Sequence, residues 1–233
     1  HPMGHPGEAQ ENAPKIIKGA EGVEIVDPDG HRAVDAVGGR WCVNLGYSND
    51  AIKQAISDQL WELPYYSAFA GTSNPAAIEA SYAVQEFFAE DGMVRSFFTS
   101  GGSDSVETAL RLSRQYHRLR GEPTRTKFLS LKKGYHGTHF GGASVNGNNR
   151  FRIGYEPLLP GCFHLPSPYC YRNPFDAIDP ELLAQKIAAA AVDEIEFQDP
   201  STIAAFIMEP IQGAGGVIVP DASFMKLMRE ICD

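Results

Sequence analysis

The run Phe97-Phe98-Thr99-Ser100-Gly101-Gly102-Ser103-Asp104-Ser105-Val106-Glu107 decides the reading of this chain. Phe97-Phe98-Thr99 reads as a short strand and Ser100-Gly101-Gly102-Ser103 as a turn. Residues 104–119 read as a helix with Val106, Leu110, Ser113 and Tyr116 facing inward. A strand running through paired glycines into a helix is the geometry of a phosphate site. The glycines let backbone N–H groups approach an anion, and the helix start adds unpaired donors and the positive end of its dipole. Ser103 can add a hydroxyl donor, and Asp104-x-x-Glu107 is a capping pattern that favours a helix start at this point. No Lys follows the glycines, so the run is not a P-loop, and it lacks the Gly-x-Gly-x-x-Gly of dinucleotide sites. Taken alone, such a turn is more often a plain Gly-rich connection with no ligand.

Outward from this run, strands and helices alternate. Residues 128–131 and 203–208 read as buried strands, and residues 180–192 as a helix capped by Asp179. Alternation of this kind predicts an α/β fold, with a mainly parallel sheet covered by helices. Gly134-Tyr135-His136-Gly137 follows the first of these strands. Glu209-Pro210-Ile211-Gln212-Gly213-Ala214-Gly215-Gly216 follows the second. Ligands of such sheets bind at the carboxyl ends of the strands. Three strand ends therefore offer an anion cradle, a flat ring with an imidazole beside it (Tyr135, His136), and a carboxylate (Glu209).

Before Arg95 the pattern differs. Asp27-Pro28-Asp29-Gly30 between two short apolar runs is a hairpin signal, because the Asp-Gly pair tolerates the positive φ of a tight turn. Residues 49–60 read as a helix capped by Asn49, residues 63–73 as an aromatic loop, and Asn74-Pro75 as the opening of another helix. The expected organisation is residues 1–74 as part of a small domain with dimer contacts, and residues 75–233 as the first part of a larger ligand-binding domain. The polar opening up to Pro14 reads as flexible or partner-dependent. The Gly/Pro/Asn-rich region 146–179 reads as an ordered surface excursion. At the other end, Asp221 is a good cap for a helix carrying Phe224, Leu227, Met228 and Ile231, and no stop signal follows before Asp233.

Composition narrows the function classes. The 20 Lys and Arg against 29 Asp and Glu give a net charge of −9. Without a basic run there is little to neutralise phosphates, which argues against nucleic acid as a partner. The longest apolar runs fall far short of the roughly 20 residues that span a bilayer, so no membrane partner is expected. The four cysteines (Cys42, Cys162, Cys170, Cys232) have no repeating spacing and read as reduced thiols in a cytoplasmic protein. Cys162, His164 and Cys170 fit no common zinc spacing and have no evident fourth ligand, so no metal site is expected.

The run at Phe97–Ala109 and the blocks at Gly134–Gly137 and Glu209–Val217, with Trp41–Tyr47 and Leu63–Tyr66, resemble in order and spacing the class III aminotransferases. These are pyridoxal-phosphate-dependent transferases of fold type I, and the nearest look is to the ω-aminotransferases. The resemblance covers the N-terminal half of a family member. It implies that Gly102 and Ser103 hold the pyridoxal 5'-phosphate phosphate, with Gly101 shaping the turn. It also implies that Tyr135 stacks on the cofactor ring, that His136 supports that face, and that Glu209 lies in a polar network beside it. Trp41, Tyr66 and Phe69 match positions that line the substrate pocket, which in this family lies at a homodimer interface. The family's pyridine-binding Asp and Schiff-base Lys fall beyond Asp233. No residue of this chain is therefore assigned a catalytic role, and a C-terminal half of the same protein is expected as a partner. The implied activity is transfer of an amino group between an amine or ω-amino acid and a keto acid such as pyruvate. Two alternatives stay open: an aminomutase or racemase on the same fold, and a catalytically incomplete phosphate-binding fragment.

Overall fold

The Asp27–Gly30 turn closes a hairpin. In this computed structural model, which describes Gly7 and residues 13–233, β1 (Gly19–Glu21), β2 (Glu24–Val26) and β3 (Arg32–Val34) form an antiparallel sheet in the order β1-β2-β3. Both Asp29 N and His31 N donate to Asp27 Oδ1, at 3.0 and 2.9 Å, which turns the chain. The polar opening up to Pro14 lies largely outside the described residues.

After a four-residue helical segment, Gly38–Trp41, two longer helices follow, α1 (Asp50–Glu62) and α2 (Pro75–Phe87). Asn49 and Asn74 cap them by accepting from Ile52 N (3.2 Å) and Ala77 N (3.0 Å), as the sequence predicts. Residues 63–73 carry no helix or strand. The chain divides into two compact units between Phe97 and Phe98.

The second unit carries the α/β architecture. Its helices are α3 (Gly102–Leu119), α4 (Phe140–Val145), α5 (Pro180–Gln198) and α6 (Ala222–Cys232). Its strands are β4 (Lys127–Leu131), β5 (Cys162–Leu165) and β6 (Ile203–Phe206), all parallel, in the order β5-β4-β6. Because side chains alternate across a strand, β4 feeds two cores. Phe128 packs with Leu110 and Val145 from α3 and α4. Leu131 packs on the opposite side with Leu183, Ile187, Phe224 and Met228 from α5 and α6. The helices thus cover both faces, which is why the strands read as apolar runs. No described helix is long and apolar enough to cross a membrane.

Three expectations are corrected. Phe97-Phe98-Thr99 is not a strand: no ladder partner lies beside it among the described residues, and Phe97 is 72% exposed. Residues 146–179 are not all surface excursion, because they contain β5, whose register on β4 runs from Phe128↔Cys162 to Leu131↔Leu165. The third helix begins at Gly102 rather than Asp104. Extended Gly101 is its cap residue, so Asp104 and Glu107 lie inside the helix and form no capping box.

Candidate active site

The start of α3 differs from that of the other long helices. Asn49, Asn74, Asp179 and Asp221 each cap their helix with a side chain, whereas Gly101 supplies none. The first-turn N–H groups of any α-helix lack intrahelical acceptors. In α3 they are therefore left for an external acceptor, beside two exposed glycines. A Cβ added at Gly102 would meet nothing within 4 Å, so an approach to this turn is open.

Ser103, in the first turn, faces the loop after β4. Its Oγ accepts from Thr138 N at 3.1 Å. Gly137 sits against it so closely that a Cβ there would lie 2.8 Å from Ser103 Oγ and 2.9 Å from Ser103 Cα. Gly137 also has φ +103°, a conformation that side chains disfavour. The glycine run and the Tyr135 loop, 35 residues apart at the Ser103–Thr138 bond, are thereby brought together.

The loop itself is held one residue at a time. Gln212 Nε2 donates to Lys132 O (2.9 Å), and Lys133 N donates to Gly147 O (2.8 Å). Gly134 O accepts from Gly147 N (3.0 Å). Tyr135 N donates to Glu209 Oε2 (2.8 Å), while the other oxygen of that carboxylate accepts from Gly213 N (3.1 Å). Glu209 thus ties the loops of two neighbouring strand ends together. His136 N donates to Asn146 Oδ1, and Gly137 O accepts from Asn146 Nδ2 (2.8 Å). The half-buried Tyr135 ring leans on Phe151, with centroids 4.8 Å apart and planes at 59°.

His136 is 6% exposed, and its Nε2 has no hydrogen-bond partner among the described residues. Burial, with the nearby His164 as a smaller cause, pushes its imidazole down to about 4. It is a neutral ring at neutral pH. His164 is also held near 4, first by burial and then by Arg152, whose guanidinium nitrogen lies 2.8 Å from His164 Nε2. The second half of the α3 motif has its own structural use. Glu107 accepts from Gly141 N (3.3 Å) and Gly142 N (3.2 Å), which anchors the start of α4. Asp104 accepts from Ser100 Oγ at 2.7 Å and stands 3.5 Å from His139 Nδ1.

Gly101, Gly102, Ser103, Tyr135, His136 and Glu209 therefore all belong to one assembly of strand ends and a helix start in the second unit. Trp41, Tyr66 and Phe69 lie in the first unit and are 63%, 55% and 84% exposed. Trp41 ends the short helical segment Gly38–Trp41, within which Gly39 N donates to Asp35 Oδ2 (2.7 Å); the same oxygen accepts from Tyr47 OH (2.6 Å). Sequence reasoning missed the wholly buried Asn146 and Gln212. Gln212 stood inside a quoted block without a role, and Asn146 carried no local signal.

The chain as a whole is similar to several known proteins. The model of the family "Aminotransferase class-III" matches residues 7–233. A putrescine–pyruvate aminotransferase of Pseudomonas aeruginosa is 37% identical over 221 residues, covering 95% of this chain and 48% of the relative. An omega-aminotransferase of Caulobacter vibrioides is 34% identical over 220 residues, covering 94% of this chain and 50% of the relative. Among solved structures, an amine transaminase from an uncultivated Pseudomonas species, in its PLP-bound form, superposes with a TM-score of 0.97 at 45% identity. It covers 100% of this chain and 52% of that one. The chain spans about half the length of the relatives it matches. Fold, motif order and the matched family model agree, and the chain belongs to the class-III aminotransferase family.

Proposed function

We propose that this chain supplies the phosphate cradle and ring support of a pyridoxal-phosphate-dependent aminotransferase. The reaction moves an amino group between an amine or ω-amino acid and a keto acid such as pyruvate. The observation that carries this reading is the junction of an uncapped, glycine-opened helix start with the Tyr135 loop through Ser103 and Thr138. Pyridoxal phosphate needs a dianion site and an aromatic surface at a fixed separation, and that junction offers both. Membership of the family and the names of the relatives point to the same chemistry.

The residues present fit the cofactor. Gly102 and Ser103 would hold the phosphate, Gly101 would leave room for it, and Tyr135 would lie against the ring. Bound there, the cofactor would supply an electron sink for the substrate carbon that loses its proton. Ser103 Oγ carries a proton that it can donate to a phosphate oxygen while it accepts from Thr138 N. Neutral His136 adds no charge to the loop that carries Tyr135. Glu209 keeps its carboxylate engaged with two backbone amides, and so positions Tyr135 rather than exchanging protons with a ligand. The exposed aromatic side chains Trp41, Tyr66 and Phe69 are proposed to line an apolar amine pocket in a homodimer. The free cysteines suit a cytoplasmic setting.

The test is a visible absorbance spectrum of the purified full-length protein, C-terminal half included, followed by amino transfer from a diamine or aryl amine to pyruvate with alanine as the readout. A cofactor band and alanine formation are expected. A protein that takes up no cofactor, or that takes it up and racemises the amine without forming alanine, would overturn the reading.

A further inference from the structure

Residues 132–138 follow no regular secondary structure, yet their backbone is held almost continuously. Most of the groups that hold it also stabilise some other contact: Glu209 bridges to Gly213, Gln212 bridges to Ser167, and Ser103 belongs to α3. One side chain spends both of its polar ends on this loop. Asn146 is 0% exposed, its Oδ1 accepts from His136 N, and its Nδ2 donates to Gly137 O at 2.8 Å. The partners fix which end is which, since an amide N–H needs an acceptor and a carbonyl needs a donor. These contacts bracket the peptide between His136 and Gly137, the residues immediately after Tyr135.

Asn146 is itself fixed. It follows α4 directly, its N–H donates to Gly142 O at 3.0 Å, and its carbonyl accepts from Arg152 at 3.2 Å. The loop has no slack on the far side, because Gly142 lies against His136 O: a Cβ on Gly142 would come within 2.5 Å of it. Beyond Gly137 comes the close approach to Ser103. A rigid helix end therefore grips the loop between its aromatic residue and its contact with the cradle.

We propose that Asn146 is a positioning residue for the cofactor site, whose buried carboxamide clamps the His136–Gly137 segment by its two outer peptide groups and thereby sets the pose of the Tyr135 ring relative to Ser103. The inference rests on the proposed cofactor reading and adds to it a residue that touches no ligand. Loss of the clamp releases the ring more than the phosphate cradle, because Gly102 and Ser103 belong to α3 and are held by the helix itself.

The test compares wild type with Asn146→Ala and Asn146→Ser, the second variant keeping a small polar side chain in case the first fails to fold. Three quantities are read on the purified full-length protein: pyridoxal phosphate affinity by visible absorbance, inorganic phosphate affinity by competition, and hydrogen exchange of the His136 amide without cofactor. The expected result is about tenfold weaker cofactor binding, the order of one lost buried hydrogen bond, with inorganic phosphate affinity unchanged. The His136 amide should also exchange faster, and the visible circular dichroism of bound cofactor should diminish. Equal losses of cofactor and inorganic phosphate affinity would show general collapse and overturn the inference. Unchanged cofactor affinity and unchanged His136 exchange would also overturn it. A wild type with no cofactor band would instead overturn the cofactor reading, and is told apart because failure of the Asn146 inference leaves the wild-type band intact.

Discussion

Replacing Gly137 by Ala should damage stability and cofactor binding together. The native φ of +103° is one that an L side chain rarely adopts, and holding alanine there costs about 1–3 kcal/mol. The new Cβ would also fall 2.8 Å from Ser103 Oγ, 2.9 Å from Ser103 Cα and 3.1 Å from Ser103 Cβ. Rotating the serine side chain relieves only part of this, because the Cα belongs to the first turn of α3. Overpacking of this kind adds about 1–3 kcal/mol. Against a typical stability of ~5–15 kcal/mol the variant should fold with a lowered melting point. Whichever side yields, the Ser103–Thr138 contact lengthens and the phosphate cradle is displaced. Gly102→Ala is the matched control: its Cβ meets nothing within 4 Å and its φ is ordinary. The apo form of that variant should keep its stability, or gain roughly 0.5–1 kcal/mol from the loss of glycine freedom in the unfolded chain, while its cofactor affinity falls. Denaturant melts of the apo forms and absorbance titrations with pyridoxal phosphate read both effects. If Gly137→Ala melts and titrates like wild type, the close approach of the two segments is wrong, and so is the junction argument built on it.

Ser103→Ala should remove one charge-assisted hydrogen bond to the phosphate, about 1.5–3 kcal/mol of cofactor affinity, and an unchanged titration would remove Ser103 from the cradle. Tyr135→Ala should weaken cofactor binding by about 0.5–1.5 kcal/mol of ring stacking beyond lost contact area, with little change in competition by inorganic phosphate. Stability should fall on mild acidification. His136 and His164 are lowered from 6.5 to about 4, so the folded state binds fewer protons than the unfolded chain between those values. Their contribution is complete above pH 6.5 and is lost as the pH drops through 6.5 toward 4. For His136 it amounts to at most about 3 kcal/mol, and His136→Leu should flatten the dependence between pH 6.5 and 5; an equal slope in the variant would refute this. Asp179→Ala should cost about 1 kcal/mol by removing the 2.7 Å bond to Leu182 N at the start of α5, measured by urea titration.

What could be read from the sequence was local. Each helix cap by Asn49, Asn74, Asp179 and Asp221 rests on a hydrogen bond spanning two or three residues, and so does the turn at Asp27. Such contacts are set by residue type and spacing alone. The errors arose where a distant partner decides. The pair Phe97-Phe98 looks like a strand, but a strand exists only through its neighbour, and none lies beside it among the described residues. The four-residue β5 was hidden in a loop-like composition because its stability comes from pairing with β4, not from its own pattern. At the candidate site, glycines, an aromatic residue and a carboxylate at strand ends were legible as a chemical set. Asn146 and Gln212 were not. Gln212 acts on Lys132, 80 residues away, and Asn146 acts on a loop whose path depends on α4. Lys133 is a smaller instance: it is half-buried, with its ammonium 4.8 Å over the ring of Tyr169, 36 residues away.

The placement of β4 between two strands that both come later in the chain has a consequence for the order in which the molecule assembles. The central strand is made first and waits for each neighbour, which arrives only after a long crossover. The bond from Tyr135 N to Glu209 closes a separation of 74 residues, and that from Thr138 N to Ser103 closes 35. Long parallel crossovers are slow to close, because chain entropy is lost before contacts return it. The Glu209 bond therefore forms among the last steps, and a chain with β6 unpaired has α3 and the Tyr135 loop but no tether between that loop and the neighbouring strand end. A ligand that needs all three segments binds only the finished arrangement and draws the population toward it by mass action. Cofactor uptake during refolding should accordingly lag the recovery of helical signal, which makes the site a reporter on the completion of its own sheet.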